Sequence, residues 1–326
     1  MNQKASIYCA VSVLALLSYP VVASDFGVTG LITIPTARMM DDGALRATIA
    51  RNEVKDIYNI TFQALPRVET TFRYTIEDPR RDRAEARDKN RDRSYEVKFK
   101  VVEESRLLPS IAVGIRDILG TGRYAAEYAV ASKVFGNFDT TLGIGWGRFA
   151  GKGSFKNPLR VFSAEFETRP GGQQGGVVGG EIRSGTFFRG DAALFGGLSY
   201  RLRQWPITLQ LQYDSDNYSR EVSLGVLRES SPWSAGIEWA VTPQISLSIA
   251  HQQEEYVGLR LSSTLDFAKP RPRRFESVST SLSKAGRQEA PSWLDLNDWY
   301  DALLFDAERS GLRIYQASTT PGRTTA

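Results

Sequence analysis

The chain has 326 residues, of which 41 % are hydrophobic, 24 % are charged and 28 are glycine, and its formal net charge is +4. The basic residues are spread along the chain without a sustained basic stripe, which argues against a nucleic-acid partner. Beyond the N-terminal region no stretch supplies the roughly 18 consecutive apolar residues of a membrane-spanning helix, which argues against a helical membrane protein.

Residues 1–24 have the features of a secretory signal peptide. Lys4 gives the positive start, an apolar core follows, and small residues such as Ala23 precede the expected cleavage point. The apolar core is too short to span a bilayer comfortably, which favours cleavage over a membrane anchor. Cys9 comes too early to be a lipoprotein cysteine, so we expect a mature chain without thiol chemistry or disulfides.

Residues 25–43 are expected to be a short periplasmic segment that leads into the folded domain. After it, apolar and polar side chains alternate in one strip after another, as from Val68 to Glu77 and from Tyr95 to Val101. Successive side chains of a strand point to opposite faces, so such strips indicate strands with one apolar and one polar face. The pattern predicts twelve strands: 44–51, 57–65, 68–77, 94–103, 110–117, 124–134, 137–147, 191–201, 207–213, 233–240, 245–251 and 256–264.

The predicted connections alternate between tight turns and longer polar loops, the longest being 78–93, 148–190 and 214–232. This alternation is typical of an antiparallel up-and-down β-barrel in the bacterial outer membrane, with short turns in the periplasm. The prediction is therefore an all-β transmembrane barrel over residues 44–264, and the alternative is a secreted β-sandwich with one wet face. Segments 159–167 and 220–227 are expected to be hairpins inside external loops; counting both as barrel strands would give fourteen.

The polar face of the predicted barrel would line its lumen. Long charged side chains of both signs recur there, and a glycan passing through the barrel would contact them. The candidate lumen residues are Arg46, Arg73, Glu77, Lys98, Lys100, Arg116, Glu127 and Arg260. Tyr128 is assigned to the opposite, lipid-facing side.

Alternation stops after the barrel. Residues 265–290 include a stiff basic stretch and are predicted to be a linker. In residues 291–326 an apolar stripe with helical spacing is followed by a strand-like run at 312–316. One helix and one strand cannot bury their faces alone, so we expect the start of a periplasmic α/β segment that is truncated.

The residues give little support for catalysis. His251 is the single histidine of the chain, and its strand parity is opposite to that of the nearby Ser248, which argues against a catalytic triad. Paired inward glutamates could in principle cleave glycosides, but ion pairs with neighbouring cations explain them more simply. We expect no enzyme activity, no cofactor and no metal.

The run from Asp25 to Arg46, and above all its Gly-Leu-Ile…Ile-Pro-Thr-Ala-Arg-Met string, resembles the opening of YjbH-type exopolysaccharide biosynthesis proteins. Stretches 157–159, 193–198 and 212–218 also resemble that family. The resemblance implies an outer-membrane barrel that helps to make or export an extracellular polysaccharide. Family members are usually much longer, with a second barrel after an α/β segment, so this resemblance implies a fragment.

Within the lead-in motif, Gly30, Pro35 and Gly43 are expected to be turn residues, while Arg38 either has a similar structural role or grips polymer. The expected function is passage or guidance of glycan across the outer membrane. Alternatives are a general diffusion porin and a non-conducting scaffold for periplasmic polysaccharide-assembly partners. The expected partners are outer-membrane lipid, extracellular polysaccharide and periplasmic exopolysaccharide-assembly proteins, and the expected location is the outer membrane of a Gram-negative cell after signal-peptide cleavage.

Overall fold

The structure is a computed structural model. It describes residues 22–77, 90–170, 180, 182, 184–223, 227, 231–253, 256–267, 318–320 and 323–325. Most of the predicted signal peptide, the predicted linker after Phe267, and the predicted tail helix and 312–316 strand lie outside these residues. The last barrel strand extends to Asp266, two residues past its predicted end.

Twelve antiparallel strands form a closed barrel in which each strand pairs with its neighbours in sequence and the last pairs with the first. This confirms the predicted fold class and strand number. The strands are β1 (Ala44–Arg51), β2 (Lys55–Leu65), β3 (Val68–Glu77), β4 (Asn90–Val102), β5 (Ser110–Arg116), β6 (Ala126–Phe135), β7 (Phe138–Gly147), β8 (Ala192–Arg201), β9 (Ile207–Tyr213), β10 (Trp233–Ala240), β11 (Ile245–Gln252) and β12 (Tyr256–Asp266). A separate unit contains a small hairpin of β13 (Ser318–Thr320) and β14 (Arg323–Thr325).

The barrel is apolar outside and polar inside. Ile60 on β2 is 52 % exposed, whereas Gln63 on the same strand and Gln212 on β9 are fully buried. Burying the polar face and exposing the apolar one is the reverse of a water-soluble core, and it suits a wall surrounded by hydrocarbon. Among the described residues, no helix is long and apolar enough to cross a bilayer.

The two ends of the barrel differ. At one end, which we call the turn end, strands are joined by short connections such as Gly136–Asn137, where Gly136 adopts a φ of 65° that suits a two-residue hairpin turn. The chain also enters β1 and leaves β12 at this end. The other end, which we call the loop end, carries the longer connections, including 148–191 and 214–232.

The two segments predicted as loop hairpins are helical instead. Residues Pro158–Val161 and Ala164–Glu167 form 3-10 turns, and α1 (Ser219–Ser223) is a short helix. The reason for the 3-10 turns is local capping, because the Asn157 side chain accepts a hydrogen bond from the N–H of Leu159 and the Ser163 side chain accepts one from the N–H of Glu165. This correction leaves the barrel at twelve strands.

The main departure from expectation concerns residues 22–40, which we call the plug. They fold into a compact, turn-rich unit within the ring of strands, whereas the sequence predicts a periplasmic segment over residues 25–43. Residues 22–24, assigned from the sequence to the end of the signal peptide, also belong to this unit, since Ala23 and Ser24 are buried and Ala23 forms a β-bridge with Thr29. Leu31, Ile34 and Ala37 of the plug form an apolar core with inward side chains of β5, β6 and β8 and with Phe149. The physical reason is that a short stretch rich in small and apolar residues is stabilised by burial inside the barrel rather than by a core of its own.

Candidate functional site

The centre of the plug binds the barrel wall through its backbone. The Glu69 carboxylate on β3 accepts hydrogen bonds from the N–H of Thr29, at 2.8 Å, and from its hydroxyl. Across the lumen, the Gln212 Oε1 on β9 accepts from the N–H groups of Ile32 and Thr33 at 3.0 and 2.9 Å. These wall side chains satisfy backbone groups that a buried loop would otherwise leave unpaired.

At the loop end the plug is held by a buried ion pair. Asp25 Oδ1 lies 2.8 Å from an Arg260 nitrogen of β12, and its other oxygen accepts a hydrogen bond from the Gln252 side chain. Arg260 also pairs with Glu238 of β10 at 3.0 Å. One guanidinium therefore ties the plug to two wall strands, which is the forked geometry that arginine provides.

At the turn end the plug is held by Arg38. Its guanidinium makes two 2.8 Å hydrogen bonds to Asp139 of β7 and a third to Glu104. Lys98 of β4 donates to the carbonyl oxygens of Arg38 and Thr29 and pairs with Glu69 at 2.9 Å. The arginine considered for polymer contact is thus already occupied by two acidic partners.

Between these anchors lies a layer of cations and aromatic rings. The Arg73 guanidinium lies 4.7 Å from the ring centres of Phe26, in the plug, and Tyr124. The Arg116 guanidinium lies 4.5 Å from the centre of the same Phe26 ring and 4.9 Å from the centre of the Phe149 ring. Arg116 also pairs with Glu96 at 2.9 Å. Such contacts stabilise guanidinium groups that burial has removed from water.

Most predicted lumen residues face inward, but they contact the plug or other side chains of the barrel rather than a channel. Six of them are buried: Arg46, Arg73, Glu77, Lys98, Arg116 and Arg260. Lys100 lies at the turn-end rim of β4 and pairs with Glu103 at 3.1 Å. Glu77 accepts a hydrogen bond from the Tyr124 hydroxyl, which is another sign that the lumen side chains are internally paired.

Glu127 was predicted to face the lumen, and the structure places it on the outside of β6. Its strand neighbours across the sheet are Ile115 and Trp146, both on the outward face, while Tyr128 points inward and donates to Glu96 at 2.8 Å. The parity of β6 is therefore opposite to the one predicted. The reason is that β6 carries small alanines outward and packs its tyrosine against the plug core.

The lead-in motif has a structural role in the plug. Gly30 and Pro35 form an isolated β-bridge, and a Cβ at Gly30 would lie only 2.2 Å from the carbonyl oxygen of Ile34. Gly43, with a φ of 72°, turns the chain into β1. Asp25, Thr29 and Thr33 also contact the wall and were not predicted, because their partners Arg260, Glu69 and Asp214 are far away in the sequence.

A second charged cluster closes the loop end. Arg148 lies 2.7 Å from Asp216 and 3.0 Å from Glu221, which also pairs with Lys55. Burial raises the pKa of Asp216 to about 6 despite the Arg148 charge. Burial acts on Glu221 in the same direction, but Arg148 and Lys55 outweigh it and hold the pKa of Glu221 below its usual value. These pairs connect loop 214–232 to β2 and to the residue after β7.

Residues considered for chemistry are not assembled into a catalytic group. His251 is exposed on the outward face of β11, and Ser248 is buried on the inward face. Among the residues that the structure describes, no group of three or more His, Cys, Asp or Glu side chains could hold a metal ion.

Solved barrel structures resemble this chain at low sequence identity. The KdgM porin in complex with disordered oligogalacturonate is 8 % identical, with a TM-score of 0.36, over 69 % of this chain and 99 % of that one. A NanC porin structure is 9 % identical, with a TM-score of 0.34, over 68 % of this chain and 97 % of that one.

Sequence relatives identify the family. The "Uncharacterized lipoprotein YjbH" of Escherichia coli K12 is 37 % identical over 234 residues, which is 71 % of this chain and 33 % of that protein. This chain thus spans about a third of the length of that relative. The YjbH family model, described as "Exopolysaccharide biosynthesis protein YbjH", matches residues 22–320. As the opening motif predicted, the chain belongs to the YjbH family of exopolysaccharide biosynthesis proteins.

Proposed function

We propose that this protein serves exopolysaccharide production as a closed, non-enzymatic barrel of the Gram-negative outer membrane, which acts as a scaffold rather than as an open channel. The observation that carries the proposal is the plug, which occupies the lumen and binds wall strands on opposite sides. Family membership supports the exopolysaccharide context. The apolar outer wall supports a place in a bilayer.

A closed barrel changes the role expected for the charged lumen residues. Lys98, Arg116 and Arg260 are each paired with a glutamate of the wall, and Lys98 and Arg260 also bind plug atoms. Glycan could reach them only after the plug had left, which would break the Asp25 and Arg38 anchors together. We therefore assign these charged residues the role of holding the plug. We assign recruitment of periplasmic assembly partners to the turn end and to residues 291–326.

Planar-bilayer recording on the purified full chain tests the closed state. We expect no steady conductance from the wild type, and stepwise conductance from a variant that loses both anchors, Asp25→Ala with Arg38→Ala. A matched control, Arg67→Ala with Arg106→Ala, removes two exposed arginines outside the plug and should stay closed. Steady wild-type conductance would contradict the proposal and favour a porin.

Polymer secretion in cells tests the scaffold role. A chain without residues 291–326 should still fold and insert but should no longer support secretion in a strain lacking the native protein. If secretion instead depends on release of the plug, a variant whose plug is covalently locked to the wall would lose secretion. The chain without residues 291–326 would then still secrete polymer. That result would restore glycan passage as the function.

A further inference from the structure

The outward face of β1 to β4 carries arginines at the loop end. Arg91 and Arg93 are exposed and alternate along β4 with the buried Asp92 and Ser94, so both point away from the lumen. On β1, the Arg51 side chain is 65 % exposed and also points outward. These three arginines, which lie at nearly the same height on β1 and β4 with β2 and β3 between them, form what we call the outer arginine patch.

The patch follows an aromatic layer along the strands. Tyr95 faces outward two residues further from the loop end than Arg93, and its ring lies 5.2 Å from that of Phe72. Tyr58 and Tyr74 are cross-strand partners with ring centres 6.5 Å apart, and the Arg93 guanidinium lies 5.9 Å from the centre of the Tyr74 ring. Moving towards the loop end, the outward wall therefore changes from aliphatic to aromatic to cationic, which is the order of hydrocarbon, interface and headgroups.

Among the described residues, the acidic groups near the patch are Glu53, which is exposed two residues after Arg51, and Asp56 and Asp92. Asp56 faces outward and lies 3.2 Å from Arg51, whereas Asp92 faces inward and accepts a hydrogen bond from Thr121. An arginine on a lipid-facing wall is strongly destabilising at mid-bilayer and much less so near the interface. The arginines thus stand where a bilayer tolerates them, and where an anionic headgroup can bind their forked donors in pairs.

We propose that the outer arginine patch binds the phosphate groups of lipid A in the outer leaflet. The inference rests on the outer-membrane placement in the proposed function, because both chain ends of the barrel lie at the turn end and the loop end then faces outward. Lipid A presents phosphates at the headgroup level and acyl chains below it, matching the cationic and aromatic layers of β1 to β4.

Native mass spectrometry of the full chain in detergent, with added hexa-acylated lipid A, tests the proposal. We expect the wild type to retain lipid A, and Arg91→Gln with Arg93→Gln to bind it about tenfold more weakly. The control Arg67→Gln with Arg106→Gln removes two exposed turn-end arginines and should bind as the wild type does. Heat-shifted gel mobility verifies that each variant is a folded barrel.

Two lipid comparisons identify the group that is bound. Dephosphorylated lipid A should bind the wild type no better than the Arg91 and Arg93 variant. Phosphatidylglycerol should compete poorly with lipid A for binding to the wild type. Equal lipid A retention by the variant and wild type, or undiminished binding of the dephosphorylated lipid, would overturn the proposal. If the wild type inserts in the outer membrane as a non-conducting barrel but its lipid A binding does not depend on the phosphates, this inference alone fails. If the chain never enters a membrane, the proposed function fails as well.

Discussion

Asp117 is the residue where a single titration should be visible in stability. It follows β5, is buried, and its Oδ2 accepts a hydrogen bond from the N–H of Tyr124 at 2.9 Å. Burial raises its pKa from 3.8 to about 6, and repulsion from Asp92 adds to this, while Arg73 and backbone N–H groups oppose it. Because the folded pKa is the higher one, the folded state binds the proton more tightly than the unfolded state, and stability falls as pH rises from about 4 to about 6.

Asp117→Asn should remove the Asp117 part of this pH dependence, whereas Asp216, whose pKa is also raised to about 6, contributes equally in both proteins. The amide keeps the acceptor for Tyr124 and tolerates the φ of 64° at this position. We expect the free energy of unfolding of the variant, relative to the wild type, to increase by about 2 kcal/mol between pH 4 and pH 7. Urea unfolding in detergent at several pH values measures it. A difference that stays constant with pH would mean that Asp117 does not titrate in this range.

At the scale of the element, β6 shows why alternation predicts strands better than it predicts their facing. The strand itself was predicted correctly. Its sequence places the small residues Ala129 and Ala131 on one face and a mixture of Tyr128, Val130 and Ser132 on the other, so side-chain size rather than polarity decides which face is buried. Glu127 can lie on the outside because loop 148–191 covers it. That covering depends on residues some 40 to 60 positions away and leaves no periodic trace in the sequence.

The covering loop is attached by a buried ion pair, which gives a prediction for the whole segment. Arg169 binds both Glu127 oxygens at 2.7 and 2.9 Å, and Phe188 packs edge-on against Trp146. Arg169→Gln leaves a buried carboxylate without its cation, which typically costs about 3–5 kcal/mol. We therefore expect the loop to open and chymotrypsin to cleave it at least about tenfold faster.

Two controls isolate the ion pair from general damage to the loop. Adding Glu127→Gln to Arg169→Gln removes the unpaired charge, so cleavage should slow again towards the wild-type rate. Arg160→Gln changes an exposed cation of the same loop and should leave the rate unchanged. If the double variant is cleaved as fast as Arg169→Gln, the charge pair does not hold the loop.

For the whole molecule, the wall was predictable and the plug was not, and the two differ in contact range. Each wall strand bonds mainly to the strand beside it in sequence, so local alternation specifies it. The plug bonds to Glu69 and Gln212, which are 40 and 180 residues away from their partners Thr29 and Ile32. Wall charges of both signs gave no such signal, because they can pair with one another across the wall, as Lys98 does with Glu69 and Arg116 with Glu96.

The Asp25–Arg260 pair tests whether plug and wall form one cooperative unit. Asp25→Arg places two cations together, and Arg260→Asp places two carboxylates together beside Glu238. Either change alone should therefore release the loop end of the plug, and ions should then pass through the barrel in planar bilayers. The exchange Asp25→Arg with Arg260→Asp restores opposite charges, and the arginine introduced in the plug would then face both the aspartate introduced on β12 and Glu238. We expect the exchanged variant to be closed again and at least partly as heat-stable as the wild type. If the single variants stay closed, the remaining contacts at Glu69, Gln212 and Arg38 hold the plug without this pair. If the exchanged variant stays open, attraction between the two charges is not what fixes the plug in the barrel.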